Sequence, residues 1–380
     1  MKNKLLSIFA VLFLLQSLAF ADVDKYFTSG CANNGDGSSG ACAGAPAGAG
    51  AWSSCANAQI GLLALYPDLT SAGVGNVNLI MSSSGAAADP QCTLSTIVTD
   101  STHLVRVKTV GADRPTIAPW IDASKPRFSC SNNGTACLQI NLLYAEVDGI
   151  QAINTATGTG TYNAVADNTT AGLSLKITNS VMTTATCNTG GGGACTPFGF
   201  SPNVANTRLT MWNNLAFGTN ISGSYELRAG LSNNGEILIL YNNGAIGGDG
   251  SAYRFDGNGG SLTLIAANNW AQGTGKTLGS WFISGSFGTY THNNNVTEDA
   301  TSPDVGGRNK TIVFVNEAGN NFKLDPTDTA AKDQGADLSG TFTNDLAGNT
   351  RSGTWDVGPL EYQASGSNGS LTTLKVSGAL

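Results

Sequence analysis

A site for chemistry would be built from carboxylates, basic groups, histidines and aromatic rings. This chain holds few of the titratable ones: 26 Asp and Glu, 19 Lys and Arg, and two His among 380 residues. Hydrolysis of a glycosidic bond requires two carboxyl groups about 5 to 9.5 Å apart. No closely paired Asp motif, no Gly-His-Gly and no Arg-Ile-Lys run is present to supply or flank them. His103 and His292 each lack a partner in sequence, and His292, within Thr-His-Asn-Asn-Asn, reads as a surface-loop residue. Elimination at a uronate needs a base, and a cation or Arg to neutralise the sugar carboxylate. Lys176, Arg208, Arg228 and Arg254 qualify by type, with Asp249 and Asp256 nearby. Residues 247–260 place oxygen ligands in a glycine-rich loop, which makes Asp249 and Asp256 the candidate Ca²⁺ ligands. Their spacing completes no calcium-loop pattern, and an ordinary loop between strands fits the segment as well. Trp212, Tyr241 and Arg254 are the candidate carbohydrate contacts. The two rings share one repeat position, so strand alternation puts them on one face, as a sugar platform if that face is outward and as core if it is inward.

The elements that would position these groups are strands. With 49 Gly, 41% hydrophobic and 12% charged residues, the composition excludes coiled coils, ordinary disorder and collagen. Three segments superimpose as a short apolar run followed by Asn-Asn-x-Ala-x-Gly, with the Asn pairs starting at Asn213, Asn242 and Asn268, 29 and 26 residues apart. A fainter copy ends at Asn179-Ser180. A period in this range belongs to repeat architectures. Asn and Gly tolerate the left-handed backbone that a coil corner needs, and Asn recurring at one corner can stack as a hydrogen-bond ladder. Further strand candidates lie at 77–81, 104–110, 138–143, 147–153, 227–231, 261–265 and 312–315. An apolar stretch at 62–66 suits a helix that caps the first coil.

Residues 1–21 carry two lysines, an apolar run and a closing Ala-Phe-Ala, the pattern of a secretory signal. Removing them takes the formal charge from −7 to −9, with 17 basic against 26 acidic groups left. An acidic chain without a basic stripe argues against nucleic-acid binding. No second apolar run is long enough to span a bilayer. The eight cysteines suit disulfides better than a metal site: Cys130 with Cys137 and Cys187 with Cys195 as local clips, Cys31 with Cys42 and Cys55 with Cys92 by proximity.

Towards the C-terminus, Ile312-Val-Phe-Val-Asn-Glu-Ala-Gly, then Asp345-Leu-Ala-Gly-Asn-Thr-Arg351, then Asp356-Val-Gly-Pro-Leu-Glu361-Tyr362 resemble the closing segment of secreted bacterial right-handed parallel β-helix proteins, many of which carry choice-of-anchor sorting sequences. The resemblance covers roughly the last 50 residues before the tail with specific motifs, and the coils in pattern only. Asp333-Gln-Gly replaces the usual Asp-Ala-Gly, and no sorting tail follows Tyr362. The resemblance implies a pectate-lyase-like fold. Asp345, Arg351, Asp356 and Glu361 are expected to pair and fasten the segment.

The expectation is therefore an all-β, single-stranded right-handed parallel β-helix. It would have a leader at 1–21, about a dozen coils with an N-terminal cap and a closing segment at 312–362 within 22–362, and a flexible polar tail at 363–380. The expected role is that of a secreted or cell-surface structural, adhesion or glycan-binding protein. The alternative is a polysaccharide lyase or glycoside hydrolase acting on an acidic polysaccharide, with its site in a groove of the parallel sheet. The expected partner is a polysaccharide or cell-surface glycan.

Overall fold

The computed structural model describes residues 21–363 apart from 30, 46–47, 83–87, 116–120, 132–133, 157–161, 168–173, 185–194, 201–204, 219–224, 232–234, 248–250, 258–261 and 274–278. The expected leader, the tail beyond Gln363, Asp249, Cys187 and the side chain of Cys195 lie outside the described residues.

The chain winds as a right-handed parallel β-helix with three sheets. Sheet 1 has nine strands, from Val23–Phe27 and Val77–Met81 through Arg208–Trp212, Ile237–Tyr241 and Thr263–Ala267 to Thr289–Asn293. Sheet 2 has eight, from Ala88–Asp89 to Val296–Thr297, and sheet 3 has seven, from Cys92–Ser95 to Trp281–Gly285. Every pairing within these sheets is parallel and in register from coil to coil. Among the described residues seven complete three-strand coils are formed rather than about a dozen. The long stretches before Val77 and after Thr297 do not coil, so spreading the repeat over all of 22–362 overcounts. Residues 147–153 are likewise two strands, Tyr144–Asp148 in sheet 1 and Gln151–Asn154 in sheet 2, with the corner made at Gly149 (φ 68°).

Alternation puts one apolar column after another inside. Leu175, Leu209, Leu238 and Leu264 are stacked partners in sheet 1, and Phe198, Leu227, Tyr253 and Trp281 in sheet 3. All belong to one continuous buried cluster that also holds Phe27, Trp52 and Leu62 of the cap. The expected cap helix is Cys55–Leu65, with Ser54 as N-cap accepting from the Asn57 N–H at 3.1 Å. Its buried residues Cys55, Ala58, Gln59 and Leu62 form one stripe along the helix. All three expected disulfides whose cysteines are described are present, Cys31–Cys42, Cys55–Cys92 and Cys130–Cys137, with Cα separations of 5.3, 5.4 and 5.3 Å.

The tight corner from sheet 1 to sheet 2 is made by the Asn pairs. Asn179, Asn213, Asn242, Asn268 and Asn294 all have φ between 49° and 56°, the left-handed region that Asn tolerates. The second Asn of each pair points inward and builds a buried ladder: Asn214 Nδ2 donates to Asn243 Oδ1 (3.0 Å), Asn243 Nδ2 to Asn269 Oδ1 (3.0 Å) and Asn269 Nδ2 to Asn295 Oδ1 (2.9 Å). Each rung also bonds main chain of neighbouring coils, so these buried amides are satisfied.

Residues 312–315 do not add a coil. Phe314–Asn316 pairs antiparallel with Asn321–Leu324. From there the closing segment runs back along the flank of the helix over sheet 2, whose outward residues Val181, Leu215, Ile246, Trp270 and Val296 it buries with Ile312, Phe314, Phe322, Val357 and Leu360. The first Asn of three of the pairs grips it: Asn213 Nδ2 donates to Asn344 O (2.6 Å), Asn242 Nδ2 to Asp356 O (2.9 Å) and Gly358 O (3.1 Å), and Asn268 Nδ2 to Ala336 O (2.8 Å).

Candidate functional site

Because sheet 2 is covered, the outward faces of sheets 1 and 3 and the rims of the closing segment carry the accessible side chains. On sheet 1, Arg106, Glu146 and Lys176 are register partners on successive strands. They join a chain of ion pairs: Asp22 to Arg106 at 2.7 Å, Arg106 to Glu146 at 3.1 Å, and Glu146 to Lys176 at 2.7 Å. Two positions on along each strand, Asp148, Thr178, Trp212 and Tyr241 form the next column. Alternation therefore does put Trp212 and Tyr241 side by side, on the outward face and half-buried.

Trp212 is engaged on the protein itself. The Phe342 ring of the closing segment lies parallel to it at 5.5 Å (7° between planes), and Lys176 Nζ stands 4.5 Å from the ring centre. Between sheet 1 and the loop carrying Phe342 lies a cleft of about 440 Å³, with Trp212, Arg114, Asp148, Asn179 and Asn344 among its walls. Asp148 accepts from Arg114 Nη1 and Nη2 (3.1 and 2.9 Å), Thr178 Oγ1 (2.8 Å) and Asn179 Nδ2 (2.7 Å), so the polar wall is held in a fixed arrangement. The cleft thus sets an aromatic edge beside fixed donors and acceptors, the general make-up of a small-molecule pocket.

Arg254 is not brought to this cleft. It lies on the outward face of sheet 3 in register with Arg228 and Phe282. Arg254 Nε bonds both oxygens of Asp256 at 2.9 Å, Arg228 Nε bonds the same carboxylate at 3.2 Å, and the Arg254 guanidinium sits 5.6 Å from the Phe282 ring. Asp256, one of the two candidate Ca²⁺ ligands, accepts from both arginines, and the other, Asp249, lies outside the described residues. Among the described residues no three His, Cys, Asp or Glu side chains gather as a metal site would require. Lys176 and Arg208 belong to sheet 1, apart from the Arg228–Arg254 pair. His103 bonds Asp100 at 3.0 Å. His292 is in the last strand of sheet 1 rather than in a loop, with Nδ1 2.8 Å from Asp304.

One carboxylate pair escaped the sequence reading because its members come from different elements. Glu298 and Glu317 line a cleft of about 670 Å³ under the closing hairpin, with Phe217, Ile246 and Phe314 as apolar wall. Glu298 accepts from the Gly273 N–H (2.9 Å), and Glu317 from Gln272 Nε2 (3.1 Å). Burial raises the Glu317 carboxyl above its ordinary value, and the charge of Glu298 adds to that. Nothing in the spacing 298 to 317 signals the pair, since a hairpin brings them together. Arg114 and Asp148 were equally silent in sequence.

No protein-family model matches the chain, and no curated protein matches it. The three disulfides are compatible with an extracellular protein, and no helix among the described residues is long and apolar enough to cross a membrane.

Proposed function

We propose that this chain is an exported, extracellular or cell-surface β-helix protein that binds glycans without cleaving them, at the cleft between sheet 1 and the closing segment. The observation that carries the reading is the in-register Trp212–Tyr241 pair on an outward face, next to the cleft walled by Arg114, Asp148 and Asn344. The leader pattern and the disulfides support export, and the closing-segment motifs support a relationship to choice-of-anchor β-helix proteins. The test is titration of the mature chain with neutral and uronate oligosaccharides, with and without Ca²⁺. Binding that falls about tenfold in Tyr241→Ala, the loss of one stacked ring, is the expected result.

The alternative, cleavage, is favoured by the Glu298–Glu317 cleft, where a carboxyl with raised proton affinity adjoins a second carboxylate. New reducing ends, or absorbance growing at about 235 nm from an unsaturated uronate product, would replace the binding reading with this one.

A further inference from the structure

At three corners the outward Asn, Asn213, Asn242 or Asn268, bonds peptide groups of the closing segment, and Asn294, the next copy, bonds none among the described residues. Asn268 shows how this is done: its Nδ2 donates to Ala336 O at 2.8 Å while its Oδ1 accepts from Ala336 N–H at 2.8 Å, a reciprocal amide pair. Asn294 occupies the same corner one coil further on, since Ala267 pairs with Asn293 and Trp270 with Val296, and it has the same left-handed backbone (φ 54° against 56°). Its inward neighbour Asn295 completes the buried ladder, whereas the Asn294 carboxamide makes no hydrogen bond among the described residues. Instead it faces a cleft of about 360 Å³ whose walls include Val296, Val305 and Ala330 on the apolar side and Asp304, Lys310 and Gln334 on the polar side.

We propose that Asn294 and this cleft form a binding site for an acetamido group, and that the ligand is an N-acetylated amino sugar. The carboxamide is a donor and acceptor set in one plane, and its complement is another secondary amide. Val296, Val305 and Ala330 suit the acetyl methyl, and Lys310, Asp304 and Gln334 suit ring hydroxyls. An extended peptide is the competing occupant. It would need a run of free rungs, and the closing segment already holds Asn213, Asn242 and Asn268. The cleft is at the small end of the range for ligand pockets, the size of about one sugar ring.

The proposal rests on the glycan-binding reading only in taking a sugar as the ligand, and its site is separate from the Trp212 cleft and the Tyr241 ring beside it. The experiment is saturation-transfer NMR and titration of the full mature chain with tri-N-acetylchitotriose, with its deacetylated form, with cellotriose, and with an acetyl-capped Ala/Gly peptide. The expected result is binding of the acetylated sugar with strongest saturation at its acetyl methyl, no binding of the other two sugars at this site, and about a tenfold loss in Asn294→Gly, which keeps the left-handed corner. Asn294→Asp, which keeps the acceptor and removes the donor, should lose a similar amount. Failure of tri-N-acetylchitotriose to bind, binding unchanged in Asn294→Gly, or tighter Asn294-dependent binding of the peptide would each overturn the proposal. Tyr241→Ala separates the two readings: sugar binding that responds to Asn294 and not to Tyr241 upholds this site while the other fails.

Discussion

The two adjacent asparagines at the last four corners do different work, and substitutions should separate them. The inner one is fully committed. Asn243 donates to Asn269 Oδ1 (3.0 Å) and Met211 O (3.1 Å) and accepts from the Asn214 N–H (3.1 Å) and Nδ2 (3.0 Å), all in the dry interior. Asn243→Asp keeps the shape but turns two donors into an acceptor facing acceptors. The expected cost is about 2–4 kcal/mol, because buried polar groups are left unpaired. The outer Asn242 has a left-handed backbone (φ 49°), donates to the closing segment through Nδ2 and accepts from Asn268 Nδ2 (3.1 Å) through Oδ1. Asn242→Gly preserves the backbone and removes three neutral bonds, two of whose partners keep other bonds, about 1–2 kcal/mol, and Asn242→Ala adds about 1–2 kcal/mol of left-handed strain. Denaturant unfolding of the three variants should therefore rank Asn242→Gly as the mildest, and an Asn243→Asp chain as stable as Asn242→Gly would refute the buried ladder. The Asn repeat was legible in sequence because successive coils from Asn179 onwards solve the same corner with the same residue. Asn294-Asn295 continues it at the 26-residue spacing, and the polar run around His292 masks that copy as a loop.

At the scale of elements, the closing segment is fastened by four charged side chains. Arg351, with no side-chain exposure, donates Nη1 to Glu361 Oε2 (2.8 Å) and Nη2 to Asn213 Oδ1 (3.1 Å) and Gly358 O (2.8 Å). Asp345 accepts from the Asn349 and Glu361 N–H groups, and Asp356 from those of Asp333 and Tyr362. Of the expected pairings, Arg351 with Glu361 is a direct ion pair, whereas Asp345 and Asp356 act on the guanidinium at longer range and bond main-chain N–H groups. Burial raises the proton affinity of Asp345 and Asp356. Burial first, then the charge of Asp356, push the Glu361 carboxyl up to about 7 against the pull of Arg351. An acid that binds its proton more tightly when folded contributes stability that is fully present below its unfolded value, 4.5, and is lost as pH rises through about 7. Amide exchange across 345–361 should accordingly be slower at pH 5 than at pH 8 once intrinsic rates are divided out. Glu361→Gln, which remains neutral and can still accept from Arg351, should flatten most of that dependence. Protection that grows with pH in the wild-type chain would contradict this account. The motif residues pointed to the pairing, but the surface they fasten to lies more than 100 residues earlier in the chain, at Asn213 and Asn242, and no local pattern encodes that distance.

For the molecule as a whole, the three sheets share one interior but have unlike outsides. Sheets 1 and 3 alternate, with apolar residues inward and Arg, Glu, Lys or Thr outward, as antiparallel or one-sided sheets do. Sheet 2 breaks the alternation with runs such as Val181-Met182, Leu215-Ala216 and Ala245-Ile246, buried on both faces. That pattern marks a strand covered twice, and it was the sequence signal that something had to lie over this face. The cover is the closing segment, and Trp270 shows how close the fit is: it is 2% exposed, packs 5.3 Å from Phe314, and occupies the space that a side chain at Gly244 or Gly358 would need. A chain cut after residue 311 retains every coil strand and both Asn columns but bares Val181, Leu215, Ile246, Trp270 and Val296 along one flank. Contiguous apolar patches of this kind drive association. The truncated chain should keep the β signature in far-ultraviolet circular dichroism, bind a hydrophobic dye and elute as oligomers, whereas the full mature chain binds no dye at the same pH. A truncated chain that stays monomeric and dye-free would mean that sheet 2 needs no cover. The closing segment's place on the flank would then have to be explained by the clefts it forms with sheets 1 and 2 and not by the core it completes.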